Sequence, residues 1–448
     1  MIVESAAAPV LPTKTIGRRI TLHTYALLAI LFLFATGGAF LTSRGSENVT
    51  ATAQSGGALH TIELAIAFGL SVPMILSRWR DVANLALKMK FFSALAVLAT
   101  ISCFWSQDPS LSLRSGIYLT LNTLFAFYLV RRFSPDDLMR HLMLLGIVVA
   151  VVSLTMAVAL PKYAFGPANS SLALQGVFGA KNILGHVAVL LLTPVFFVRN
   201  MAMTPKVGYC LLMFALIIPA LSLQAWVAAL FCFAFAGCSM LYRRLRKRDF
   251  LWIVYVIVIP LVVSLALLAG YWNDVLGYLG KDPTLSGRTM IWSAVLQSVA
   301  KKPLLGWGYD AVWRGFVGES ASIILFAHFT IAQAQNGVLE VLLGLGSVGL
   351  AFVLATIVEG LRNASICTRS GSSHAGFWYL LILCITLFYS LGEAVFNIQN
   401  NLQWILYMVA CSGLALEARP LRRSSTTVNS TNRNVSSSES FPKRIAAR

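Results

Sequence analysis

Residues 142–160 read LMLLGIVVAVVSLTMAVAL, a run without one charged side chain. A helix rises about 1.5 Å per residue, so roughly 20 apolar residues cross the hydrocarbon core of a bilayer. Outward from this stretch the pattern repeats. Apolar runs at 25–41, 60–76, 88–104, 116–130, 142–160, 182–198, 207–222, 225–241, 250–268, 338–358, 377–391 and 404–416 predict twelve spans, so the sequence reads as an all-α polytopic membrane protein. Composition agrees: 57% of the residues are hydrophobic and 12% charged, against about 25% charged in soluble domains.

The basic residues orient these spans. Arg44, Arg114, Lys162, Lys181, Lys281, Arg288, Lys301, Lys302 and Arg314 fall on one side, and the other 26 of the 35 Lys and Arg fall on the opposite side with both termini. That is the positive-inside bias, and it places the termini in the cytoplasm. The net charge of +18 is therefore a topological signal with some attraction to anionic lipid heads, and nucleic acid is not an expected partner. The chain divides into an N-terminal segment 1–24, spans one to nine over 25–271, a large outer loop at 272–336, spans ten to twelve over 337–418, and a basic Ser/Thr/Asn-rich tail 419–448 expected to be disordered. The N-terminus lacks the apolar region of a signal peptide, so the first span is expected to act as an uncleaved anchor. No Walker or Rossmann glycine pattern appears, and the seven cysteines are scattered without metal-binding spacing.

Two outer loops stand out, 161–181 and 272–336, because long loops in compact proteins are often functional. Seven of the nine outer basic residues lie in them, which suggests an anionic ligand. SGRTMIWSAVLQSVAKKP, residues 286–303, predicts an amphipathic helix lying along the membrane surface with its apolar side down, ended by Pro303. Lys301 and Lys302 suit its C-terminal dipole. Arg288 sits in its first turn, where a cation is disfavoured unless an anion is near, and guanidinium with free N–H groups suits a phosphate. Trp292, one turn on, is either an interfacial anchor or a packing surface for lipid or sugar. GVFGAKNILGH, residues 176–186, opens a span with Lys181 and Asn182 at its N-terminus, a second place for an anion, and with His186 one turn inside.

At these residues the chain resembles the O-antigen ligase/polymerase family, especially its exopolysaccharide polymerases. WSQDPSLSLR (105–114), GVFGAKNILGH, DPTLSGRTMIWSAVLQSVAKKPLLGWGYDAVW (282–313) and AQNGVLEVLLGLGSVGL (334–350) carry the resemblance. It implies a GT-C-like membrane fold of the bacterial inner membrane, with the 272–336 loop in the periplasm over a lipid-facing cavity. The implied activity is a glycosyltransferase that needs neither metal nor cofactor. It transfers a growing glycan from undecaprenyl diphosphate to another lipid-linked repeat unit or, in a ligase, to a lipid A-core acceptor. A flippase and a chain-length regulator of the same pathway are the implied partners. Arg288, Lys181, Asn182, Trp292, Arg314 and Gln224 would bind diphosphate and glycan, and Gln335, Asn336, His328 and Glu340 would serve the acceptor.

Two positions depart from the family pattern. SLQAW (222–226) has Gln224 where an arginine is usual, and AQNGVLE (334–340) has Gln335 where a histidine is usual. Glutamine orients a hydroxyl but cannot take its proton. His328, or one of Asp282, Asp310, Glu319 and Glu340, would then be the base, with Arg288 or Lys181 as the expected partner of Glu340. A transporter and a non-catalytic assembly component remain the competing readings. A transporter would show broken helices and ionisable groups in mid-span.

Overall fold

In a computed structural model the chain is described over residues 22–37, 58–165, 172–244, 288–327, 331–369 and 374–438, with the side chains of 58–59, 369 and 421–438 excepted. The described residues form helices and turns, with a single β-bridge between Phe165 and Leu174. The helices are α1 (Leu22–Thr36), α2 (Ala58–Ser77), α3 (Trp79–Lys88), α4 (Lys90–Ile101), α5 (Pro109–Arg132), α6 (Pro135–Ala159), α7 (Lys181–Leu192), α8 (Met203–Ile217), α9 (Leu223–Arg244), α10 (Arg288–Lys301), α11 (Glu319–Ala327), α12 (Gly337–Arg369), α13 (His374–Ser390) and α14 (Leu402–Ser438).

Each expected span that falls on described residues coincides with a helix; the span expected at 250–268 lies outside them. Among the described residues five helices are long and apolar enough to cross a membrane, six if α3 and α4 count as one broken span bent by 96°. Others, such as α1, α8 and α13, are apolar but of 10–17 residues, shorter than an untilted crossing needs. The helix starts follow local chemistry. Asp108 caps α5 by accepting from the Leu111 N–H, and Ser134 caps α6 by accepting from Asp137, each with proline at the first helical position. The backbone of α14 continues helical through Pro420 to Ser438, across the boundary at 419 after which the composition predicts disorder.

The main body packs α4 on α5 and α12, α13 and α14 on one another, around fully buried Trp378, Trp404, Tyr389, Tyr407 and Phe125. Between membrane helices such packing stabilises by close contact rather than by water release. A second, smaller core gathers Ile291, Ala294 and Val295 of α10 with Val312, Trp313, Ile323, Ala334 and Leu343. The apolar face of α10 is thus seated on protein. The expectation that this face points down into lipid is corrected, because α11 and the start of α12 cover it.

The outer loop is locked into a break in α12. Gly346 has φ 64° and ψ −163°, which divides the helix. Across the break the Trp307 and Gly308 N–H groups donate to the Leu343 and Gly344 carbonyls at 2.9 and 3.0 Å. Ser347 and Val348 donate in turn to the Pro303 and Leu304 carbonyls at 2.8 and 3.2 Å. A Cβ on Gly346 would strike the Leu304 carbonyl, so glycine is required by both conformation and space. Backbone groups freed at such depth need protein partners, and the loop supplies them.

The same loop is stitched to the start of α5. Trp105 Nε1 donates to the Leu305 carbonyl at 3.0 Å, Gln107 Nε2 to Ala311 at 2.7 Å, Ser112 Oγ to Tyr309 at 2.7 Å and Ser115 Oγ to Asp310 at 2.6 Å. Three of the four stretches that carry the family resemblance therefore meet here, as a scaffold.

Candidate functional site

That scaffold presents Gln335 at an unusual backbone angle. Gln335 has φ 48°, a left-handed conformation uncommon for residues other than glycine. The preceding peptide is held at both ends. The Ala334 N–H donates to Glu340 Oε2 at 2.8 Å, and the Ala334 carbonyl accepts from Trp292 Nε1 at 3.1 Å. Asn336 Oδ1 then accepts from the Val338 and Leu339 N–H groups and caps α12.

Held this way, the Gln335 side chain meets Arg288: its Oε1 accepts from Arg288 Nε at 2.8 Å. Arg288 NH2 reaches Glu393 Oε1 at 3.5 Å. Asn182, at the start of α7, donates to the same oxygen at 3.2 Å, and Gln333 donates to Glu393 Oε2 at 3.3 Å. Gln224, at the start of α9, donates to the Tyr389 carbonyl at 3.2 Å. A Cβ on Gly392 would lie 3.3 Å from Arg288 NH1 and 3.4 Å from Gln224 Nε2. Glycine at 392 therefore lets the guanidinium and the amide close in where a Cβ would push them apart. Beneath the cluster the His186 ring stacks on Tyr389 with centroids 3.9 Å apart. His186 is buried, and its Nε2 has no hydrogen-bond partner.

The arrangement is a polar cup with one guanidinium, one carboxylate and four side-chain amides, gathered from α7, α9, α10, the residues before α12 and the turn after α13. All of these ends lie on the side opposite to most of the basic residues. Side-chain exposure of 27% for Arg288 and 17% for Glu393 leaves both within reach of an entering ligand. Burial raises the Glu393 carboxyl above the usual glutamate range, while Arg288, Asn182 and Gln333 act in the opposite direction.

Of the sequence-predicted residues, Arg288, Asn182, Gln224 and Gln335 come together. Lys181 adjoins Asn182 at the start of α7. Trp292 and Glu340 hold the Ala334 peptide, with Glu340 also accepting from Trp313 Nε1 at 2.6 Å. The expectation that Arg288 or Lys181 partners Glu340 is corrected for Arg288, which pairs with Glu393. Arg314 instead forms an ion pair with Asp108 at 3.3 Å, and Lys301 one with Glu319 at 2.6 Å. His328 and Asp282 lie outside the described residues. Sequence reasoning missed Glu393 and Gln333. The available signal was a carboxylate next to a glycine at the outer end of a span, SLGEA at 390–394.

Comparison with known proteins bears on this cup. Residues 208–354 match the O-antigen ligase family model, a stretch that includes Gln224, Arg288 and Gln335. The exopolysaccharide production protein ExoQ of Rhizobium meliloti is 28% identical over 316 residues, 66% of this chain and 70% of that protein. A Rickettsia felis protein named "Putative polysaccharide ligase" is 24% identical over 206 residues, 45% of this chain and 49% of its own length. A Rickettsia bellii protein of the same name is 25% identical over 216 residues, 46% of this chain and 50% of its own. The resemblance to the O-antigen ligase and exopolysaccharide polymerase family drawn from the motifs is thus carried by a family match and by named relatives.

Proposed function

We propose that this chain, a relative of the O-antigen ligases and of an exopolysaccharide production protein, polymerises lipid-linked repeat units at the periplasmic face of the bacterial inner membrane. The observation that carries the reading is the convergence of Arg288, Gln335, Asn182 and Gln224 at the outer ends of four helices. The donor is a glycan on undecaprenyl diphosphate. Arg288 and Lys181 meet the diphosphate oxygens, where charge develops as the lipid diphosphate departs. Asn182 and Gln224 complete that cradle beside Gly392. Gln335 fixes Arg288 and orients the acceptor hydroxyl. Trp292, Asn336 and Glu340 set the backbone that presents Gln335. Arg314 acts through the loop it fastens to Asp108, and no metal takes part.

An apolar groove of about 390 Å³ between α8 and α9, lined by Phe214, Ile218, Trp226, Leu230 and Phe233, supports a lipid-borne donor. Its Trp226 lies in the same first turn of α9 as Gln224, at the end of the helix where the cup lies. The fold in this reading is GT-C-like with about twelve spans and both termini cytoplasmic. A flippase supplies the donor and a chain-length regulator acts on the product. The names of the Rickettsia relatives favour a second reading, transfer of the finished glycan to another acceptor. The break in α12 is a transporter-like feature, but backbone of residues 303–308 fills it, which weighs against a substrate path there.

The test compares surface polysaccharide from wild type, a deletion and Arg288→Ala, resolved by chain length. The reading expects both mutants to lose long chains and keep single repeat units on lipid. Long chains that form normally but stay on the carrier would establish the ligase. Normal chains in Arg288→Ala with none in the deletion would remove Arg288 from the chemistry.

A further inference from the structure

The transfer proposed above releases a proton from the acceptor hydroxyl, and none of the roles assigned so far receives it. Gln335, Gln333, Gln224 and Asn182 cannot accept one. His186 is buried and lies beneath the cup, stacked on Tyr389. Glu393 is the carboxylate that faces the cup, and at rest it is covered by Arg288.

We propose that Glu393 is the proton acceptor of the reaction, and that the donor's diphosphate uncovers it by drawing the Arg288 guanidinium away. This rests on the reading of the cup as a diphosphate site. The Arg288–Glu393 contact, at 3.5 Å through one nitrogen, is the longest in the cluster with Arg288. Gln335 holds Nε at 2.8 Å, so the contact with Glu393 is the one an incoming anion would replace. Once Arg288 leaves, the carboxylate stays in place: Asn182 still donates to Oε1 and Gln333 to Oε2.

The exchange also improves the base. Burial already favours the protonated carboxyl and Arg288 opposes it. Moving Arg288 onto an incoming anion removes that opposition, and the Glu393 carboxyl rises further toward the operating pH. In the step itself, a Glu393 oxygen takes the proton of the acceptor hydroxyl. The hydroxyl oxygen bonds to the anomeric carbon of the donor glycan. The bond from that carbon to the diphosphate oxygen breaks, and the lipid diphosphate leaves with the electron pair. Glu393 then returns its proton to water. The charged group that acts on Glu393 is Arg288 from α10; Tyr389 from α13 and the His186 ring stacked on it lie beneath the cup, and Lys181 adjoins Asn182 in the chain.

The experiment uses the full chain purified in detergent, undecaprenyl diphosphate as binding probe, and transfer from a lipid-linked repeat unit. Glu393→Gln is expected to bind the probe at least as tightly as wild type, since nothing then competes for Arg288, while kcat falls about 100-fold or more. Glu393→Asp is expected to keep part of the activity with a displaced acid limb in its pH profile. Glu393→Gln transferring within tenfold of wild type with an unchanged pH profile would overturn the proposal, as would its failure to bind the probe. Arg288→Ala separates the two claims: if it binds the probe like wild type, the diphosphate site itself is wrong whatever Glu393 does.

Discussion

Glu340 accepts from a buried backbone N–H and from the Trp313 indole, and each unpaired buried donor costs about 1–3 kcal/mol. Glu340→Ala should therefore lower the melting temperature of the purified protein and loosen Gln335, and Glu340→Gln should do the same, because its amide can accept at one end only. A melting temperature unchanged in both would mean that the Ala334 peptide is held by other groups. Asp310 offers a pH test. Burial raises its carboxyl above the usual aspartate range, against hydrogen bonds from Ser115 and Gln399 that favour the anion. The folded protein thus holds this proton more tightly than the unfolded chain. The stability it contributes is full below the ordinary value of about 3.9 and is lost as pH rises through the raised one. An amide oxygen can still accept both hydrogen bonds, so the melting temperature of Asp310→Asn relative to wild type should climb as pH rises from about 4. A difference flat with pH would show that Asp310 titrates as an ordinary carboxyl. At this scale the sequence revealed Arg288, Asn182, Gln224 and Gln335 because each sits in a recognisable motif. Glu393 lies beyond the last motif, and its meaning arises only from neighbours 60 to 211 residues away.

The break in α12 decides the elements. Gly346→Ala forces an alanine to positive φ with extended ψ, an essentially glycine-only region that costs about 1–3 kcal/mol, and also drives a Cβ into the Leu304 carbonyl. The variant should unfold at lower temperature and lose activity through Gln335. A structure in which α12 runs straight with the loop still bound would contradict this. The groove between α8 and α9 makes a kinetic prediction. Ala229 also lines the groove; Ala229→Trp should fill it and raise KM for a lipid-linked donor while leaving kcat near wild type, and an unchanged KM would put the isoprenoid elsewhere. Apolar runs made the helices legible, since a bilayer demands length and hydrophobicity that show in any window. The amphipathic pattern located α10, but which surface covered its apolar side was not readable. Lipid and the α11–α12 core satisfy the same residues, and only the tertiary contacts distinguish them. The interlock of 303–308 with α12 was equally hidden: its sequence signal is a set of glycines whose partners lie some forty residues on.

For the whole molecule, polarity along the membrane normal is the organising fact. Basic residues collect at one end of the helices and the cup with its scaffold at the other, and both could be read from the loops once the spans were counted. The number of spans could not be settled in the same way, because tilt and breaks let helices of 10–17 residues occupy positions that a fixed window treats as full crossings. The account places chain elongation at the outer end, driven by the departing lipid diphosphate. The most direct measurement reconstitutes the purified protein in liposomes with a lipid-linked repeat unit as the sole substrate, with no nucleotide and with a chelator present. The account predicts glycans of several repeats and one undecaprenyl diphosphate released for each new glycosidic bond, with both lost in Arg288→Ala. Elongation that stops with the chelator, or bonds formed without release of undecaprenyl diphosphate, would contradict it.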